Sequence, residues 1–393
     1  MTFRWLARVC SGAVIGMTAG SVAAATLASA AAVNALPSAR LTLPVEVNLA
    51  QNRRANLSDA EQEALDELLS EGQEKVEAED YDGAIALYRE ATRIDPQNAR
   101  LFSGIGYLYV QQGEYASAVE PYQQAIRLEP DNLPFRYGLA FTYVQLENYT
   151  EAIAAYEEIA TLAPNETDAY LGLGNIFITL EDYEAALDTY ETLTRRAPNN
   201  ARSYEALGTL YLIQEDYVAA QSAFQRAVQT DRSRSESYVG LAETQLATGN
   251  SRAALENLEE AVRLNRNNAQ ANFLLGEISL NLGDEDAAYA YYRRAAEADP
   301  DLIPAQAAVG AFHLREGVYL QAIRAYRRVL QAFPDNPGAH YNLGLALWAE
   351  GLKTQAVSSI GRARRLYAAD DDIDSVERVD ALLELWGVDQ DDG

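Results

Sequence analysis

The chain has 393 residues, 48% of them hydrophobic, and carries 58 acidic against 31 basic side chains, a net charge of −27. Such a surface repels phosphate backbones, which excludes nucleic acid as a partner and leaves a neutral or basic protein as the easier one to accommodate. Cys10 is the only cysteine, so there is neither a disulfide framework nor a thiolate metal site.

Residues 1–30 have the three parts of a secretory signal: Arg4 and Arg8, the uncharged Ala-, Val- and Gly-rich run Val9 to Ala30, and the small residues Ala28-Ser29-Ala30. No charge interrupts the chain between Arg8 and Arg40, so an uncleaved membrane anchor is the competing reading. The weakly apolar composition favours cleavage. Either way the repeats that follow are expected outside the cytoplasm, periplasmic or secreted, with membrane contact only through an uncleaved N-terminus. A lipid anchor at Cys10 is excluded because it precedes the apolar run.

Residues 31–56 hold Pro37, Pro44, Arg53 and Arg54 with no helical period and read as a linker. Ser58 and Glu61 form a capping box, predicting a first helix from about Asp59 to about Glu77 with an acidic outer face. A long polar start of this kind suits a cap over the open end of an array.

From Leu65 a 34-residue period takes over, and periods in this range signal repeat architectures. Nine units follow without insertion: 65–98, 99–132, 133–166, 167–200, 201–234, 235–268, 269–302, 303–336 and 337–370. In the second of them, Leu101, Ile105, Leu108 and Tyr109 fall at helical spacing, as do Tyr115, Ala118, Val119, Tyr122, Ala125 and Ile126 after a break at Gly113. Each unit therefore reads as helix, turn, helix. The slot of Ala118 is alanine in all nine units. The slot of Gly106 is glycine in seven units and alanine, Ala140 and Ala242, in the other two. Small residues there let the two helices of a unit approach closely, and a large one would overpack the contact by about 1–3 kcal/mol. Prolines recur at Pro96, Pro130, Pro164, Pro198, Pro300 and Pro334, with Arg232, Arg266 and Ala368 in the remaining places.

This grammar resembles the tetratricopeptide repeat (TPR) superfamily, in exported bacterial-type form, over residues 65–370. Gly106, Ala118, Tyr122, Ala125 and Pro130 carry the likeness. It implies an all-α, right-handed superhelical solenoid of helix-turn-helix units whose concave wall is lined by the first helix of each pair. The units bearing Arg232, Arg266 and Ala368, and those with Leu258 and Ile360 in the slot of Tyr122, are expected to pack more loosely or bend the array. Residues 371–393 read as a C-terminal capping helix, with Val376, Val379, Leu383 and Trp386 on one face, and an acidic tail.

Catalytic constellations are missing. His313 and His340 fall in packing slots, Gly104-Ile105-Gly106 lacks the strand and third glycine of a phosphate loop, and no serine has a nucleophile-elbow context. No enzyme activity, cofactor or metal is expected. Function should lie where the units differ. By the resemblance, two slots four residues apart face the groove: Ser103 and Tyr107, Tyr137 and Phe141, Leu171 and Asn175, Glu205 and Thr209, then Val239 and Glu243, Phe273 and Glu277, Ala307 and Ala311, Tyr341 and Leu345. Tyr107, Tyr137 and Phe141 are candidate anchors for a partner segment, with Arg100 or Arg136 supplying a charged contact and Leu171 and Asn175 continuing the wall. The other reading is that these rings only pack on the neighbouring unit. Lysines for chelating a partner's carboxylate are absent near Asn175, since the chain has only Lys75 and Lys353. A stripe of Arg293-Arg294, Arg327-Arg328, Arg362, Arg364 and Arg365 reads as solvated charge or as a surface for an acidic partner. The expected function is a non-enzymatic scaffold binding a protein or peptide. The alternative is a self-associating structural or assembly component of the cell envelope.

Overall fold

The computed structural model describes residues 57–388, so the expected signal, linker and acidic tail lie outside the described residues. All regular structure among these is helical, in nineteen helices. They fall into two units, residues 57–230 and 231–388.

The first unit holds α1 (Asp59–Glu77), α2 (Tyr81–Ile94), α3 (Ala99–Gln111), α4 (Tyr115–Leu128), α5 (Leu133–Gln145), α6 (Tyr149–Leu162), α7 (Thr167–Thr179), α8 (Tyr183–Arg196), α9 (Ala201–Ile213) and α10 (Tyr217–Thr230). The second holds α11 (Ser235–Ala247), α12 (Ser251–Leu264), α13 (Ala269–Asn281), α14 (Glu285–Ala298), α15 (Ile303–Arg315), α16 (Tyr319–Ala332), α17 (Pro337–Ala349), α18 (Lys353–Ala369) and α19 (Ile373–Leu385). Within each unit every helix packs on the next, an all-α repeat solenoid. The α1 capping box forms as its sequence implies: Ser58 Oγ accepts from Glu61 N–H, and the Glu61 carboxylate takes the Ser58 N–H at 2.8 Å.

Close helix approach comes from the small-residue slots, with one refinement. Gly106 faces the ring of Tyr122, and a Cβ there would lie 2.9 Å from it. The same holds for Gly208 against Phe224 and Gly276 against Tyr292, at 2.9 and 2.7 Å. Tyr122 also lies against Gly138 in the next pair, and Tyr156 against Gly172 at 2.6 Å. The Ala118 slot, from Ala84 to Ala356, is 0% exposed in all nine pairs.

Between the helices of a pair the chain reverses through a left-handed residue. Gly113, Gly249, Gly283, Gly317 and Gly351 take it at φ 75–87°, and in the other four pairs it is a glutamate: Glu79, Glu147, Glu181 and Glu215 at φ 57–59°. The bond from the next N–H back across the turn forms either way, Glu114 N–H to Tyr109 O and Asn148 N–H to Tyr143 O, both 2.9 Å. Between pairs, asparagines close the frame. Asn200 caps α9 through Arg202 N–H and donates to Thr167 at the start of α7, while Asn268 caps α13 and donates to Ser235 at the start of α11.

A second periodic bond was not anticipated. The fourth residue of a first helix reaches back six residues to the carbonyl at the proline slot: Arg136 to Pro130, Tyr170 to Pro164, Tyr204 to Pro198, Asn272 to Arg266, Gln306 to Pro300 and His340 to Pro334. A guanidinium, a phenol, a carboxamide and an imidazole all make the same bond, so no single residue type marks the slot.

Two helix ends that lack proline stop without it. Helices α10 and α12 keep the 14-residue length of their proline-bearing counterparts. Asp231 and Asn265 bend back onto the N–H groups of Ser233 and Asn267, as Asp299 does onto that of Asp301 beside Pro300. Leu258 and Ile360, in place of the ring, are 0% exposed. Only α18, with Ala368, is longer, at 17 residues. Helix α4 runs uninterrupted through Pro121. The closing helix α19 buries Val379, Leu382 and Leu383, and Trp386 stacks on Trp348 at 4.0 Å between ring centres.

The turn geometry yields a testable contrast. Glu147→Gly and Glu181→Gly should each stabilise the protein by about 0.5–1 kcal/mol, the relief of left-handed strain less the extra freedom of the unfolded chain. Gly106→Val should cost about 1–3 kcal/mol by overpacking on Tyr122. Urea unfolding midpoints measure both.

Candidate partner-binding groove

In residues 57–230, α3 touches α5 and α7 touches α9 directly, beyond the contacts each makes with the intervening helix. The variable slots on these helices are the candidate groove. Their side chains divide into two classes.

Three candidates are committed to packing. Tyr137 is buried, with its ring edge-on to Tyr156 at 6.1 Å. Leu171 is buried in one cluster with Tyr190 and Leu193. Asn175 is buried, and its Oδ1 accepts a 2.7 Å bond from the Tyr190 hydroxyl. The arginines are also engaged. Arg136 donates from Nε to Pro130 O at 2.8 Å and pairs with Glu158 on α6, so it faces its own second helix and not the line of groove slots. Arg100 is half-buried and has a partner within the fold. For Tyr137, Leu171, Asn175 and Arg136 the packing reading therefore describes the structure.

Tyr107 and Phe141 differ. They hold the same slot on α3 and α5, and both are half-buried. Tyr107 lies on the cluster of Ile85, Tyr88 and Ile105 beside Tyr81, and burial followed by the nearby Tyr81 phenol pushes its own phenol up. Phe141 sits edge-on to Tyr115 at 6.4 Å, against Val110 and Tyr122. Each packs on a buried cluster and stays partly exposed, an arrangement that suits a rigid aromatic contact.

A further pair escaped sequence reading. Asp168, buried on α7, forms an ion pair with Arg202 on α9, 2.7 Å apart. The two occupy one slot 34 residues apart, so opposite charge at the repeat spacing was the available signal.

In residues 231–388 the corresponding slots run Val239 and Glu243 on α11, Phe273 and Glu277 on α13, Ala307 and Ala311 on α15, then Tyr341 and Leu345 on α17. Glu243 Oε1 accepts from Gln270 Nε2 at 2.8 Å, and burial pushes its carboxyl above the usual range. Glu277 accepts from the Tyr292 hydroxyl, whose own ionisation is pushed up by burial and then by that carboxylate. Tyr341 and Leu345 are buried.

The remaining candidates resolve plainly. His340 Nε2 is 2.9 Å from Pro334 O, and His313 lies against Tyr289 with burial lowering its pKa. The arginine stripe is largely matched locally: Arg293 with Glu297, Arg328 with Asp301, Arg362 with Asp335, and Arg364 with Asp380 of the closing helix. An open cleft of about 400 Å³ between α9 and α10, lined by Tyr204, Leu207, Tyr211, Ser222 and Arg226, lies off the groove slots. No described helix is long and apolar enough to cross a membrane.

Comparison with known proteins adds the family. One TPR repeat model matches residues 72–113, 106–147 and 310–351, and a tetratricopeptide repeat model matches 137–201, 171–235 and 239–303. A crystal structure of a tetratricopeptide repeat protein from Parabacteroides merdae shares 18% identity over 63% of this chain and 98% of that one, with a TM-score of 0.50, which shows a common fold. MamA from Desulfovibrio magneticus (23% identity, 43% of this chain and 96% of that one, TM-score 0.36) is also similar. So is YrrB, described as a TPR protein with an unusual peptide-binding site (22%, 47% and 95%, TM-score 0.34). No curated protein sequence matches.

The packing role of Asn175 has a measurable signature. Asn175→Ala removes the acceptor of a buried hydroxyl and should cost about 1–3 kcal/mol of stability at neutral pH. The Tyr190 phenol is raised from its ordinary 10.0 by burial, so the stability it carries is complete below pH 10 and is lost as pH climbs toward the folded value. Unfolding free energy should therefore fall from pH 10 upward, less steeply in Tyr190→Phe, as read by denaturant titration across that range.

Proposed function

We propose that this chain, which belongs to the tetratricopeptide repeat superfamily, is a non-enzymatic scaffold outside the cytoplasm that holds a segment of a protein partner along its first helices. Members of the family serve protein–protein interaction, and each unit here offers a preformed surface along its first helices. A partner segment then bears the entropy of its own ordering but not that of the receptor. The observation that carries the reading is the pair Tyr107 and Phe141, at equivalent slots of touching helices, each packed on a buried cluster and partly exposed. Rigid aromatics of this kind are the usual anchors of an interface. Export rests on Arg4, Arg8 and the uncharged run before Ala28-Ser29-Ala30.

The full-length protein, used as bait in an extracytoplasmic fraction and cross-linked, should capture a partner identified by mass spectrometry. Tyr107→Ala and Phe141→Ala should each weaken that partner by about 2 kcal/mol, some thirtyfold in Kd, with a lowered Tm but the helical fold retained at the assay temperature. Unchanged affinity in folded variants would overturn the placement of the site. N-terminal sequencing of the protein from its native fraction tests export, with an intact Met1 in the cytoplasm as the contrary result.

A further inference from the structure

We propose that the first-helix face of residues 231–388 receives a basic segment, with Glu243 and Glu277 each taking a lysine or arginine side chain of the partner. This rests on the scaffold reading above and specifies the chemistry of what is held.

Glu243 and Glu277 occupy one slot on α11 and α13, a repeat length apart, and both are half-buried. Each is oriented by a neutral donor, Gln270 for one and the Tyr292 hydroxyl for the other. Neither pairs with a cation among the described residues. The contrast lies inside the same protein. Asp168, also drawn into the first-helix layer, is answered by Arg202 from the next repeat, so the fold supplies a cation where a carboxylate there is structural. At Glu243 and Glu277 the fold supplies orientation and leaves the charge unmatched.

The surroundings suit a long cation. Phe273, one turn before Glu277, is buried against Tyr292, and the same slots of the next repeat are Ala307 and Ala311, both half-buried and small. The stem of a lysine or arginine packs on such a surface while its head reaches the carboxylate. Coulomb attraction strengthens as water is excluded, and a carboxylate already fixed by neutral donors loses little freedom when the cation arrives. The net charge of −27 steers a basic segment toward the protein over longer range, but only the local pair gives it a register.

The test uses the full-length protein and a fluorescein-labelled decapeptide of alternating Leu and Lys, with its Leu/Glu counterpart and a Leu/Ser one, by anisotropy. Salt is held at about 0.15 M, where charge is felt over about 8 Å. The Leu/Lys peptide should bind, and the double variant E243Q/E277Q should weaken it tenfold or more. E259Q, on the exposed face of α12, should leave it unchanged. Glutamine keeps the acceptor for Gln270 and Tyr292, and E243Q should raise the Tm of the free protein by removing a desolvated charge; both single variants are measured beside the double one. Equal loss in E259Q and in the double variant would mean diffuse attraction and overturn the proposal, as would no preference for Leu/Lys over Leu/Glu. Leu/Ser binding that depends on Tyr107 and Phe141 but ignores both glutamates would keep the scaffold reading and discard this one.

Discussion

The ring of Tyr122 lies between Gly106 of its own pair and Gly138 of the next, and this contact sets the helix spacing from which the array follows. Glycine in a helix costs about 1 kcal/mol relative to alanine, so two of them oppose folding by about 2 kcal/mol. Burying an aromatic ring removes about 150–250 Å² from water, worth at most about 4–6 kcal/mol at ~25 cal/mol per Å². The ring wins, and one side chain thereby links a pair internally and to its successor. Where the ring is Leu258 or Ile360, burial is as complete. The constraint is a filled space and not aromaticity as such.

That distinction explains what was legible in the sequence. Glycine, alanine and the large residue recur because sterics admits few alternatives at a helix crossing, so fold class and frame could be read directly. The stops were less legible. A left-handed turn advertised by Gly113 is made equally by Glu147, and a helix end advertised by Pro130 is made equally by Asn265. Backbone geometry there tolerates several residue types, so Arg232 and Arg266 in the proline slot do not by themselves say where a helix stops. The bond to the proline-slot carbonyl, made by Arg136, Tyr170, Asn272, Gln306 and His340, lies beyond residue-type pattern altogether.

The groove was legible only as a set of positions. Variation among repeats marks slots released from the packing constraint, but release has two outcomes. A side chain there can be recruited by a neighbour, as Asn175 is by Tyr190, or left facing outward. Sequence cannot separate these, because the partner sits fifteen residues away on another helix. Tyr137 and Phe141 share α5, differ by one turn and both sit edge-on to a tyrosine, yet Tyr137 is buried while Phe141 is partly exposed. Residues one turn apart share a helix face with an offset of only about 40°, so sequence spacing cannot say which of the two stays exposed.

Charge obeys the same logic with a higher penalty for leaving a group unmatched. A neutral residue recruited into the layer needs only shape, whereas a carboxylate there needs a donor or a cation, since desolvation without either costs several kcal/mol. Asp168 has a cation from its own chain, and Glu243 and Glu277 have donors only. A protein selected for stability alone would place glutamine at those slots, keep both hydrogen bonds and shed the desolvation cost. Retaining ionisable groups at two successive repeats is a local conflict that packing does not resolve, and such conflicts concentrate where a surface is organised for something other than its own folding.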